Sequence, residues 1–166
     1  MELTYLLTEA EIMKGCGQGL DQLRNCKTID DMIQCYFDNI DFCLANNFPS
    51  NEFLMQYRDE LRQKDVFIDD AMICATEERG TWVFLGNCTC TISVDGFSVH
   101  RLYVKHNSKI NIKAFGRAFV MVDALDNSDV VVDINDEAKV IVNLYSKATC
   151  TGATKIIQKN KETYDL

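Results

Sequence analysis

From residue 88 to residue 157 the chain repeats itself every ten residues, and this repeat limits the possible folds more than any other feature. The blocks read CTCTISVDGF, SVHRLYVKHN, SKINIKAFGR, AFVMVDALDN, SDVVVDINDE and AKVIVNLYSK, followed by a degenerate copy, ATCTGATKII. The opening position is always small: Cys88, Ser98, Ser108, Ala118, Ser128, Ala138 and Ala148. The third holds Cys90, His100, Ile110, Val120, Val130, Val140 and Cys150, and the fifth is Ile92, Leu102, Ile112, Val122, Val132 and Val142, breaking only at Gly152. Odd positions one to seven are small or apolar and even positions are mixed, the period-two pattern of a strand with one buried face. Positions eight to ten carry Gly, Asp, Asn, Ser or Lys, which is turn chemistry.

Two architectures suit such blocks. In a β-solenoid successive strands stack in register, so the same residue type is rewarded at the same place in every copy. An antiparallel meander or sandwich gives no reason for a small first position throughout. Its tight hairpins would also want an Asn-Gly or Asp-Gly centre, present only at Asp95-Gly96. The sequence therefore predicts a solenoid, of three or four rungs if each rung takes two blocks. The preceding block, ERGTWVFLGN, fits weakly through Trp82 and Phe84.

The N-terminal third changes period. Thr8 with Glu11 makes a capping-box pattern for a helix reaching about Asn25, weakened by Gly15, Gly17 and Gly19. Thr28 with Asp31 opens a second helix, whose Ile29, Met32, Ile33, Tyr36, Phe37, Ile40 and Cys43 form one apolar stripe. After Pro49-Ser50, the residues Phe53, Leu54, Tyr57 and Leu61 give a third helix one apolar side. The expectation is an α+β chain: a helical cap of about three helices over 1–65, a linker at 66–79, a solenoid at 80–158, and a polar tail at 159–166. The cap would cover Trp82 and the first apolar edge.

The counts narrow the functional classes. The start, Met1-Glu2-Leu3-Thr4-Tyr5-Leu6-Leu7, has no basic residue and runs at once into Thr8-Glu9, so a secretory signal is not expected. No window approaches the length of a membrane span. A cytoplasmic location follows as the expectation, with reduced cysteines. The 8 cysteines include no C-x-x-C pair, and only Cys88 and Cys90 lie close together, so a zinc site is not expected and the thiols read as small core residues. The repeated aspartates lack the glycines of a calcium-binding roll. Gly15 to Gly19 lacks the strand and the Lys-Ser/Thr end of a phosphate loop. His100 falls on an inward column and His106 in a turn, so neither forms an evident triad. No catalytic residue, cofactor or metal is expected, and the chain reads as a non-enzyme.

Charge supplies the one candidate surface. The net charge of −8 disfavours nucleic acid and anionic membranes. Along the repeat, Arg101, Lys105, Lys109, Lys113 and Arg117 form a basic band, and Asp126, Asp129, Asp133 and Asp136 fall in the acidic band that follows. A solvated surface is the ordinary meaning of such runs. The sharper expectation is a charged face that meets a protein partner or a second copy. The alternative is a small effector that sequesters a host factor or a nucleotide.

Two resemblances accompany these residues. The stacked small-x-apolar-x-apolar blocks of 98–147 resemble short β-solenoids such as the bactofilin-type polymer-forming family. That resemblance implies end-to-end assembly without a cofactor, although the ten-residue period and the helical third depart from the family. The combination of Ile40-Asp41-Phe42-Cys43, Asn47-Phe48-Pro49 and the repeat from Gly96 to Tyr145 is similar to uncharacterised small repeat proteins of Bacteroides-type gut bacteria and their phages. It implies a phage or bacterial origin and assigns no site residue.

Overall fold

A computed structural model describes residues 3–76 and 78–164. These divide into two compact units, one of residues 3–64 with Tyr164 and one of residues 65–163.

In the first unit, α1 (Leu3–Ile12), α2 (Gly17–Asn25), α3 (Ile29–Asp38), α4 (Ile40–Asn46), α5 (Asn51–Leu54) and α6 (Arg58–Arg62) replace the three longer helices expected. A single 3-10 turn, Met55–Tyr57, lies between the last two. Thr8 does not cap a helix. It lies inside α1, and its hydroxyl donates to the Thr4 carbonyl at 3.0 Å, because Leu6 and Ala10 bury one continuous face that runs back past it. The glycines then split the expected helix. Lys14 turns left-handed (φ 61°), the Gly15 N–H donates to the Ala10 carbonyl, and α2 restarts with the Cys16 sulfur accepting from the Gly19 N–H at 3.3 Å.

The Thr28–Asp31 box does form. The Asp31 N–H donates to Thr28 Oγ1 at 3.1 Å and the Thr28 N–H donates to Asp31 Oδ2 at 2.9 Å. These bonds and the one from the Lys27 N–H hold the Asp31 carboxyl below its ordinary range. The apolar stripe does not continue as one helix, because Asn39 closes α3 by donating its side-chain amide to the Cys35 carbonyl at 2.9 Å. Ser50 caps α5 through the Phe53 N–H.

The second unit is a β-solenoid of about four turns, built only from parallel pairs. Its strands are β1 (Val66–Ile68), β2 (Ala71–Thr76), β3 (Gly80–Leu85), β4 (Thr89–Val94), β5 (Val99–Val104), β6 (Lys109–Ala114), β7 (Phe119–Ala124), β8 (Asp129–Ile134), β9 (Lys139–Leu144), β10 (Thr149–Thr151) and β11 (Lys155–Gln158). Odd strands form one sheet, β1-β3-β5-β7-β9-β11, and even strands the other, β10-β8-β6-β4-β2. Consecutive blocks therefore go to opposite sheets, and a strand stacks on the one two blocks away. Leu102 meets Val122 and then Val142 in one interior column, and Ile92 meets Ile112 and Val132 in the facing one. The meander and the sandwich are excluded by this pairing.

The solenoid also starts earlier than expected. Residues 66–76, read as linker, are β1 and β2, and β1 rather than an open edge lies beside β3. Phe67 stacks on Phe84 with ring centroids 5.2 Å apart, and Trp82 meets both rings edge-on. The pairing there runs Val66 to Val83 and Met72 to Cys90, shorter than the twenty-residue step of Leu102 to Val122, which is why no ten-residue block shows. Past β11, in the segment read as tail, the Lys159 N–H donates to the Leu144 carbonyl and the Lys161 carbonyl accepts from the Ser146 N–H. Residues 165–166 of that expected tail lie outside the described residues.

The turns explain the small first position. Its N–H donates back three residues, as in Ser108 to the Lys105 carbonyl, Ala118 to Phe115 and Ser128 to Leu125. The side chain consequently points into a tight corner, where Ser108, Ala118 and Ser128 are at most 1% exposed. The ninth position is left-handed in every turn from Gly86 to Ser146: Gly86, Gly96, His106, Gly116, Asp126, Asp136 and Ser146.

Candidate interaction surface and an apolar cavity

Alternation between sheets breaks up the linear charge bands. Arg101 lies on β5 and donates to the buried Asp123 carboxylate at 3.2 Å, with its guanidinium 5.0 Å from the Tyr103 ring centre. Lys105, in the turn after β5, is only 3% exposed and its ammonium sits 3.1 Å from Asp126, so it offers no free charge to a partner. Arg117 and Asp136 fall in turns of the even sheet. Arg117 pairs with Glu137 at 2.7 Å and lies 5.4 Å from the Phe97 ring centre, while Asp136 accepts the Gly116 N–H.

The remaining four predicted residues come together. Lys109 and Lys113 point outward from β6, and Asp129 and Asp133 point outward from its neighbour β8. In register, Lys109 lies beside Asp129 and Lys113 beside Asp133. The outward residues around them are Thr89, Thr91, Ser93, Asn111 and Thr151, with Val131 at the centre and Ile73, 86% exposed, toward one edge. Thr149 donates its hydroxyl to Asp129. The result is a largely polar outward face, with a row of two cations next to a row of two anions.

Side chains twenty residues apart also bond along the turn. The left-handed ninth residue exposes an N–H that the strand ladder does not use. The Gly86 N–H donates to His106 Nδ1 at 3.0 Å, and the His106 N–H donates to Asp126 Oδ2 at 3.2 Å. Asn127 donates to Asn107, and Asn107 to Asn87, in a parallel ladder one position on. His106 is thus an acceptor, and burial with the nearby Lys105 ammonium keeps it neutral by lowering its pKa. His100, 2% exposed against the Trp82 ring, is likewise held neutral by burial.

The helical unit contains a feature that sequence reading missed, a cavity of about 380 Å³, partly open to solvent and lined by side chains from α1 through α6. Its walls are mainly aliphatic and aromatic, including Leu23, Ile33, Phe48 and Leu54. Three cysteines also line it, Cys16 exposed and Cys35 and Cys43 buried. Burial pushes Cys35 up to about 12 and raises Cys43 further, so these two buried thiols stay protonated at neutral pH. The only signal in the sequence was the presence of small residues (Ala10, Gly15, Gly19, Cys43) on otherwise bulky helix faces, and such residues are as common in tight packing.

Among the described residues no group of three or more His, Cys, Asp and Glu side chains is placed to hold a metal ion. Among them, too, no helix is long and apolar enough to cross a membrane. No family model, curated protein or solved structure matches the chain.

Proposed function

We propose that this chain is a non-enzymatic interaction module whose even-sheet face docks on the same face of a second copy. The observation that carries this reading is the self-complementary charge pattern on β6 and β8. A two-fold axis lying in the plane of the face, parallel to the strands and midway between β6 and β8, lays the lysine row of one copy over the aspartate row of the other. Lys109 then meets the region of Asp129 of the other copy, and Lys113 that of Asp133, in the isologous arrangement of a closed dimer. At about 3.3 Å per residue and about 4.8 Å between strands, four six-residue strands present roughly 400 Å². That is about half the roughly 800 Å² per partner of a stable complex, so association is weak, concentration-dependent and weakened by salt.

Mixing charge variants tests this directly. One variant carries Lys109→Glu with Lys113→Glu, and the other Asp129→Lys with Asp133→Lys. Sedimentation equilibrium at low salt should give weak dimers for the parent chain, monomers for each variant alone, and a one-to-one heterodimer for the mixture. A monomeric parent, or a mixture that stays monomeric while both variants remain folded, rules the reading out.

The same proposal includes a reducing, cytoplasmic or virion-associated setting, which the eight free cysteines support. A bacterial or phage origin rests on the resemblance carried by Ile40-Asp41-Phe42-Cys43, Asn47-Phe48-Pro49 and the repeat, and the likeness to polymer-forming solenoids on the repeat alone. A face-to-face dimer differs from end-to-end polymerisation, and the mixing experiment separates them because a filament would not stop at two copies.

A further inference from the structure

We propose that the helical unit binds a neutral, largely apolar small molecule in its central cavity. Protein interiors are packed to crystal-like density, and voids larger than a water molecule are few. A space of about 380 Å³ is far beyond such a packing defect. It falls in the range of small-molecule sites, roughly 300–1,000 Å³.

Its chemistry selects the ligand. Leu6, Ala10, Leu23, Ile33, Leu54 and Leu61 form the depth of the cavity, each at most 7% exposed. The exposed lining residues, Lys14, Cys16, Asp38 and Asp41, mark its mouth. A charged ligand group drawn inside would lose its water and meet no buried opposite charge, which is strongly unfavourable. The rim carries both signs, and the Asp38 carboxylate is already occupied by the side-chain amides of Gln22 and Gln34 at 2.5 and 2.8 Å. The rim therefore selects neither an anionic nor a cationic head-group. Phe42 and Phe48, whose ring centroids are 5.7 Å apart, add edges and faces suited to an aromatic or alkyl guest. This site lies wholly within the helical unit, and it stands or falls independently of the dimer.

The experiment uses the full chain and the neutral fluorophore N-phenyl-1-naphthylamine. Titration should give a saturable, several-fold rise in emission at one equivalent per chain. Methyl NMR of the same samples should shift Leu23, Ile33 and Leu54 and leave the solenoid valines Val122 and Val142 in place. Ala10→Leu fills part of the space and should weaken binding at least tenfold while far-UV circular dichroism stays helical. If that variant does not fold, Cys43→Met serves the same purpose. Absence of saturable binding by the parent chain overturns the proposal. So do methyl shifts centred on the solenoid, or undiminished binding by a folded, filled variant.

Discussion

Individual residues in the solenoid answer to two geometries, the interior column and the turn, and the glycines separate them. Gly152 has φ +83°, and a Cβ there would lie 1.9 Å from the Val132 carbonyl oxygen, so no side chain fits without moving the backbone. Gly96 is also left-handed at φ +72° but has open space around it. Gly152→Ala should therefore cost about 3 kcal/mol or more, combining the left-handed penalty with a backbone clash. Gly96→Ala should cost only about 1–2 kcal/mol, the left-handed penalty alone. Urea unfolding measures both, and hydrogen exchange should show protection lost first over residues 149–158 in the Gly152 variant. Equal losses would mean that the close approach to Val132 is not maintained in solution. The inward columns were legible in the sequence because identical residues recur at one position. The ninth-position network was not: His106 finds Gly86, and Asp126 finds His106, only once the twenty-residue step brings them together.

At the scale of elements, local signals succeeded where the backbone had no competing partner. Thr28 and Asp31 satisfy free N–H groups at a chain bend, and the box forms as written. The same pattern at Thr8 and Glu11 fails because the buried face of α1 extends on both sides of it. The two sites make opposite predictions for one substitution. Thr28→Ala removes a cap and should destabilise the helical unit by about 1 kcal/mol. Thr8→Ala, inside a helix, should be neutral or stabilising by a few tenths of a kcal/mol, because Ala is the better helix former. Thermal unfolding followed by circular dichroism at 222 nm distinguishes them, and a matching loss at Thr8 would contradict the placement of α1. Strands β1 and β2 escaped the sequence reading for a related reason. Their shortened register removes the period while leaving Val66, Phe67 and Ile68 buried, so only the pairing of β1 with β3 and of β2 with β4 identifies them.

Across the whole chain the question left open by the sequence was how many residues make one turn, and the answer determines what can be removed. From β3 to β10 each strand stacks on the strand twenty residues away, so one coil, not one block, is the structural unit. Stability in such an array is close to a sum over units and their neighbouring interfaces. Deleting residues 108–127 removes β6 and β7 together. β8 then stacks on β4 and β9 on β5, with Val130 against Cys90 and Val142 against Leu102, and all later strands stay on their own sheet. Deleting 118–127 removes β7 alone and sends β8, β9 and the strands after them to the opposite sheet. It sets β8 on β5 and β9 on β6, with Val130 against His100 and Val140 against Ile110, pairings that these strands do not make in the intact chain. The twenty-residue deletion should keep a cooperative unfolding transition with a urea m-value reduced in proportion to the lost coil. The ten-residue deletion, although it removes less chain, should unfold at lower urea concentration and over a broader range. If the two were equally stable, the sheets would be interchangeable and the ten-residue block, not the coil, would be the unit that folds.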